Sequence, residues 1–269
     1  VSDLRLRLGK KPATEDVRDF KFANLFAGVT MPTPPNRFGH GTLFHSTEWQ
    51  MYGNGPDDTV EPGFGGCGDC VFAGAAHEVM LTNKIGGHPV PKFTGKNVVS
   101  DYSAVTGYVV GDDQTDQGTD VRQALSYRRK TGVVDAAGTR HKIGAYVSIA
   151  AKNWDELMEA VYVFSAVGIG FEFPSYAMDQ FDQGQPWDVV DPNAQIEGGH
   201  YVPVVGRSSK NVAGVVTWGR RQGMTREFYE TYNDEAWAIV YPEELRAGTL
   251  KNERGFDLSA LNQALASLH

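Results

Sequence analysis

The sequence predicts an α+β protein with a helical first half and a β-rich second half. Three observations carry that prediction. Up to about residue 165 the apolar residues recur at helical spacing, as in Val71, Phe72, Ala75, Ala76, Val79 and Met80. Beyond that point the period changes to two, with Val167, Ile169, Phe171 and Phe173 alternating with Gly168, Gly170 and Glu172. The two segments richest in chemistry, Gly66-Cys67-Gly68-Asp69-Cys70 and Gly198-Gly199-His200-Tyr201, fall one in each half.

Residues 1 to 62 hold many chain breakers, among them Met31-Pro32-Thr33-Pro34-Pro35 and Tyr52-Gly53-Asn54-Gly55-Pro56. They read as an extended arm that docks on a folded body through Phe20, Phe22, Phe26, Phe38, Phe44 and Trp49. The first helix is expected over residues 70 to 83 with Asp69 as its N-cap, nearly all apolar and therefore central. A second is expected over residues 120 to 130, capped by Thr119 with Val121, Ala124 and Leu125 inward. A third starts at Asn153, which has capping-box spacing to Glu156 ahead of the stripe Trp154, Leu157, Met158 and Val161. Strands follow at 167 to 173, around His200, Val202 and Val204, at 212 to 218 and at 236 to 241, and a short helix capped by Asp257 closes the chain. The expected organisation is an arm (1–62), a helical subdomain with Cys70 (63–150), a β-rich subdomain with His200 (151–250) and a C-terminal helix (251–269).

Composition narrows the function. The 269 residues carry 25 Lys+Arg against 33 Asp+Glu, a net charge of −8, and no clustered cations of the kind that phosphate neutralisation requires, so no nucleic-acid partner is expected. The groups Arg128-Arg129-Lys130 and Arg220-Arg221 read as solvated helix and loop ends. No apolar run is long enough for a membrane helix, and residues 1 to 11 lack the apolar core of a secretory signal. A cytoplasmic or virion-associated location is the resulting expectation.

The pair Cys67-x-x-Cys70 also invites a redox or a zinc reading. A redox pair calls for a preceding strand, whereas Cys67 follows a Gly/Pro-rich loop. Zinc would need His77 and His88 at a spacing that fits no common finger. No metal and no cofactor is expected. A third reading treats Cys70 as the nucleophile. A thiol at a helix N-terminus beside an imidazolium is stabilised as thiolate, and His200 on a facing strand would supply that partner. The bland alternative is a buried structural Cys and a hydrogen-bonded core His.

Here the sequence resembles the papain-like cysteine peptidases, in order over roughly residues 60 to 245. Cys67-Gly68-Asp69-Cys70-Val71 is similar to the family's Cys-Gly-Ser-Cys-Trp, with Cys70 at the nucleophile position. The stretch from Ser100-Asp101-Tyr102 to Gly132-Val133 resembles the second helical region of its bacterial branches, so a bacterial- or phage-type member is expected. Gly199-His200-Tyr201-Val202-Pro203-Val204-Val205-Gly206 resembles the histidine strand, and Val216-Thr217-Trp218-Gly219 falls where the family has Asn-Ser-Trp-Gly. The resemblance implies a helical left and a barrel-like antiparallel right subdomain with a cleft between them. It also implies a peptide or protein substrate, catalysis by Cys70 and His200, and a site lined by Gly68, Asp69, Gly199, Thr217 and Trp218.

Four positions depart from that pattern. Phe64 stands where the family places its oxyanion Gln, with Asn54 and Gln50 in the preceding loop as replacements. Val216 stands for the Asn that orients the histidine, which leaves the task to Thr217 or another group. Asp69 puts a carboxylate beside the thiol, opposing the thiolate. Val71 replaces an aromatic. Two functions therefore stay open: a thiol peptidase or related amide hydrolase, and a degenerate papain fold used for binding or assembly, such as a component of a phage particle.

Overall fold

A computed structural model describes residues 6–28, 30–45, 48–56 and 63–244. The helix expected after Asp257 lies outside the described residues. The helices are α1 (Phe22–Leu25), α2 (Cys70–Ile85), α3 (Gly95–Thr106), α4 (Val121–Lys130), α5 (Trp154–Phe164), α6 (Ala177–Asp182) and α7 (Arg226–Tyr232). The strands are β1 (Phe38–Gly39), β2 (Val133–Val134), β3 (Arg140–His141), β4 (Ala145–Ile149), β5 (Val167–Pro174), β6 (Ile196–Ser209), β7 (Val212–Thr217), β8 (Arg220–Thr225) and β9 (Asn233–Val240). The main sheet is antiparallel in the order β4-β9-β5-β6-β7-β8, with β1 paired to β6 and β2–β3 forming a separate ribbon. This is the α+β arrangement that the change of period predicts.

Helix α2 is buried along nearly its whole length because apolar and small side chains occupy every face. Asp69 precedes it but its side chain makes no capping bond, contrary to expectation. The cap of α4 likewise falls one residue later than expected, on Asp120, whose carboxylate accepts from the Gln123 amide. Asn153 caps α5 as its spacing predicts, accepting from the Glu156 amide. The sheet separates two apolar clusters. One gathers α5, α7 and the faces of β5 and β6 that carry Ile169, Phe171, Val202 and Val204. The other gathers α2, α3 and α4 with Tyr201, Val205 and Val216.

Arg128 corrects the reading of 128–130 as a solvated end. Its side chain is 1% exposed, and Nη2 lies 2.5 Å from Glu78 Oε2 on α2. Tyr201 donates to Glu78 Oε1 at 2.8 Å and Tyr241 to Glu78 Oε2 at 2.7 Å. One buried carboxylate thus ties α2, α4 and β6 together beside residue 200, which sets the helix and the histidine strand relative to each other. Among the described residues no helix is long and apolar enough to cross a membrane.

Candidate active site

Cys70 opens α2 and His200 lies on β6, and both are buried, at 2% and 0% exposure. The backbones of Tyr201 on β6 and of Gly9 lie close enough to the Cys70 thiol to favour its charged form. Burial pushes this thiol up to about 12, against the opposing pull of the Tyr201 amide, Lys10 and the Gly9 amide. Cys67 and Cys70 are both free thiols, and Cys67 Sγ faces the Gly53 carbonyl at 3.6 Å.

His200 sits in an aromatic cage. Trp218 stacks on it at 4.2 Å between centroids and 18° between planes, while Phe171, Phe173 and Trp187 approach edge-on. Burial among these rings lowers the imidazole to about 3. Among the described residues one polar group hydrogen-bonds it: Thr217 Oγ1 lies 2.7 Å from Nε2. Nδ1 is buried and has no hydrogen-bond partner among the described residues. With the hydroxyl accepting from Nε2–H, Nδ1 carries the ring's lone pair. Trp218 holds its place over the ring with φ of 43°, a conformation uncommon for an aromatic residue.

The other departures resolve as follows. Val216 packs in the helical-side cluster, away from any hydrogen-bonding task. Asn54 is buried and donates to the Cys67 carbonyl at 3.2 Å, and the Gln50 carbonyl pairs with His77 Nε2 at 2.8 Å. Burial, with Asp116 nearby, holds the Asp69 carboxyl well above the usual carboxylate range. Asp69 raises the Cys70 thiol as its position beside the sulfur predicts, but burial is the larger cause.

What sequence reading missed is a segment that packs between Gly68 and Gly199. Residues 7 to 11 run between the Cys70 and His200 sides. The Arg7 amide donates to the Asn54 carbonyl at 3.3 Å, and the Arg7 carbonyl accepts from Trp218 Nε1 at 3.2 Å. The amides of Gly9 and Lys10 donate to the Gly199 carbonyl at 3.1 and 2.9 Å. Thr119 completes the clamp, its amide donating to Gly9 at 2.7 Å and its carbonyl accepting from Lys11 at 2.9 Å. Gly68 packs against Gly9 from the thiol side. Gly68, Gly199 and Trp218 therefore touch this segment directly, Thr217 holds the imidazole, and Asp69 is buried beside them. The only signal in the sequence was Leu4-Arg5-Leu6-Arg7-Leu8, whose period of two suits an extended strand.

An α+β chain with this sheet, a thiol at the start of its central helix and an imidazole on β6, has the fold of the papain-like cysteine proteases. Xylellain, a cysteine protease from Xylella fastidiosa, aligns over 90% of this chain and 98% of its own with a TM-score of 0.62 and 17% identity. The ragweed pollen allergen Amb a 11, a cysteine protease in its proform, aligns over 90% of this chain and 70% of its own (TM-score 0.58, 14% identity). Procathepsin B S9 from Trypanosoma congolense aligns over 87% and 86% (0.56, 11%). No family model and no curated protein matches the sequence.

Proposed function

We propose that the protein is a papain-like cysteine peptidase, or a related amide hydrolase, whose Cys70–His200 site is held closed by its own residues 7 to 11. The observation that carries this reading is the 2.7 Å contact between His200 Nε2 and Thr217 Oγ1. A degenerate site has no need to orient its imidazole once Val216 has displaced the usual acceptor. Here the neighbouring hydroxyl does so and leaves Nδ1 bare.

In the open state His200 Nδ1 takes the Cys70 proton, and the thiolate attacks the substrate carbonyl. The C–S bond forms and the C–N bond breaks as the amine leaves with the proton returned by the imidazolium. Water, deprotonated by the same Nδ1, then attacks the thioester; the acid product leaves and the thiol is restored. Backbone amides at the start of α2 are the available donors for the oxyanion, since Phe64 offers no side-chain donor there.

Incubating a chain with its segment displaced with a peptide library, and sequencing the products, tests this reading. Cleavage that vanishes in both Cys70→Ala and His200→Ala supports it, and no cleavage under any condition rejects it. The competing role as a binding or assembly component has no specific observation in its favour.

A further inference from the structure

Lys10 is the one residue of the segment 7 to 11 that is fully buried, while Leu8 packs partly against the core. Its side chain is 1% exposed, and Nζ lies 2.6 Å from Asp234 Oδ2 and 3.2 Å from Glu235 Oε1, with a third contact to the Lys11 carbonyl at 2.7 Å. The aliphatic stem runs over Gly170, where an added Cβ would stand 2.0 Å from Lys10 Cε. Any side chain at 170 would fill this slot.

The carboxylates are built in. Asn233 donates to the carbonyls of Gly170 and Glu235 at 2.7 and 2.8 Å, which holds the irregularity between β5 and β9 open at that point. Trp237 Nε1 fixes Glu235 by donating to Oε2 at 2.8 Å. Glu235 is 7% exposed, and among the described residues its Oε1 has no partner besides the Lys10 ammonium at 3.2 Å, while Asp234 Oδ1 has no hydrogen-bond partner. The slot therefore holds acceptor capacity beyond what one ammonium uses, which a guanidinium fork would take up.

The entrance is formed by Gly199, the residue before His200, through its carbonyl bonds to Gly9 and Lys10. From this placement we infer that the slot of Gly170, Asp234 and Glu235 is a specificity pocket for a lysine or arginine side chain of a bound peptide, one that Lys10 fills while the cleft is closed. The inference rests on the peptidase reading for its role in catalysis, but binding tests it separately. A basic residue entering the slot brings the adjoining backbone onto the Gly199 carbonyl, within reach of Cys70 and His200.

The experiment uses the full chain carrying Gly9→Ala and Cys70→Ala, which frees the cleft and removes turnover. Fluorescent peptides of residues 6 to 12 are titrated by polarisation with Lys, Arg, norleucine or Glu at the position of Lys10. Lys and Arg peptides should bind about tenfold or more tightly than norleucine, the scale of a charge-assisted hydrogen bond, and the Glu peptide weakest. Asp234→Asn and Glu235→Gln should each shrink that difference, Asp234→Asn serving if the buried Glu235 variant fails to fold. Equal binding of Lys and norleucine peptides overturns the pocket. A basic residue enriched at a fixed position beside the cut sites of the Gly9→Ala chain supports it in turnover. Selective binding with no cleavage at all supports the pocket while rejecting the peptidase reading.

Discussion

Gly9 lies so close to Gly68 that a Cβ at residue 9 would stand 1.8 Å from the Gly68 carbonyl oxygen. Backbone against backbone leaves nothing flexible to move aside. Gly9→Ala should therefore dislodge the segment while sparing the two cores. Hydrogen exchange checks this: amide protection at Lys10, Lys11 and Thr119, whose bonds close the clamp, should be lost, and protection within β5 and β6 kept. Unchanged protection at residues 10 and 11 would mean that the clamp tolerates a side chain.

Thr217 is a positioning residue for His200. In the opened chain Thr217→Val should lower kcat about 10- to 100-fold with little change in KM, the range seen when a partner that orients an imidazole is removed. Thr217→Ser, which keeps the hydroxyl, should restore most of the rate. A rate unaffected by Thr217→Val would remove the observation on which the peptidase reading rests.

Arg128 and Glu78 form a buried ion pair at 1% exposure each. Arg128→Met leaves the carboxylate buried with only the hydroxyls of Tyr201 and Tyr241, at an expected cost of about 3–5 kcal/mol in urea unfolding. Arg128→Met with Glu78→Leu should be less destabilising than Arg128→Met alone, because no unpaired charge remains. A loss below about 1 kcal/mol, typical of exposed pairs, would contradict the buried placement.

Buried groups also set a pH dependence. His200 and His77 are lowered to about 3 and about 4, chiefly by burial, so the folded chain holds them neutral while the unfolded chain protonates them below about 6.5. Their contribution to stability is complete above pH 6.5 and is lost as pH falls, down to about 4 for His77 and about 3 for His200. Asp69 acts in the opposite sense. Its raised folded value keeps a proton that the unfolded chain releases above the ordinary Asp value of 3.8, so its contribution falls as pH rises beyond that. Asp69→Asn should thus gain on the wild type by about 1.4 kcal/mol per pH unit from pH 4.5 upward, up to the folded pKa of Asp69. Urea midpoints at pH 4.5, 5.5 and 6.5 read this directly, and a constant difference would show Asp69 ionised in the fold.

The elements that bear the site were legible because they rest on local rules. Cys70 begins a helix of continuous apolar and small residues, His200 lies in a strand of alternating β-branched residues, and Asn153 caps where its spacing to Glu156 says. Thr217 was open as a substitute for Val216 because it is the next residue along the same strand. What escaped depends on contacts distant in sequence. Arg128 looks like a solvated helix end until Glu78, Tyr201 and Tyr241 converge on it. Asp69 looks like a cap until the fold buries its carboxyl without a capping bond and raises it well above the usual carboxylate range. Lys10 looks like one more surface cation until β9 places Asp234 and Glu235 around it.

The central claim is a competent Cys70–His200 pair closed by residues 7 to 11, and the alkylation rate of Cys70 by iodoacetamide at pH 6 tests it most directly. Mass mapping separates Cys70 from Cys67. The wild-type thiol, buried and raised to about 12, should react slowly. Gly9→Ala should react rapidly, and adding His200→Ala should return the rate to the slow level. A Cys70 that stays slow once the segment is displaced, or reacts as fast without His200, would contradict the account.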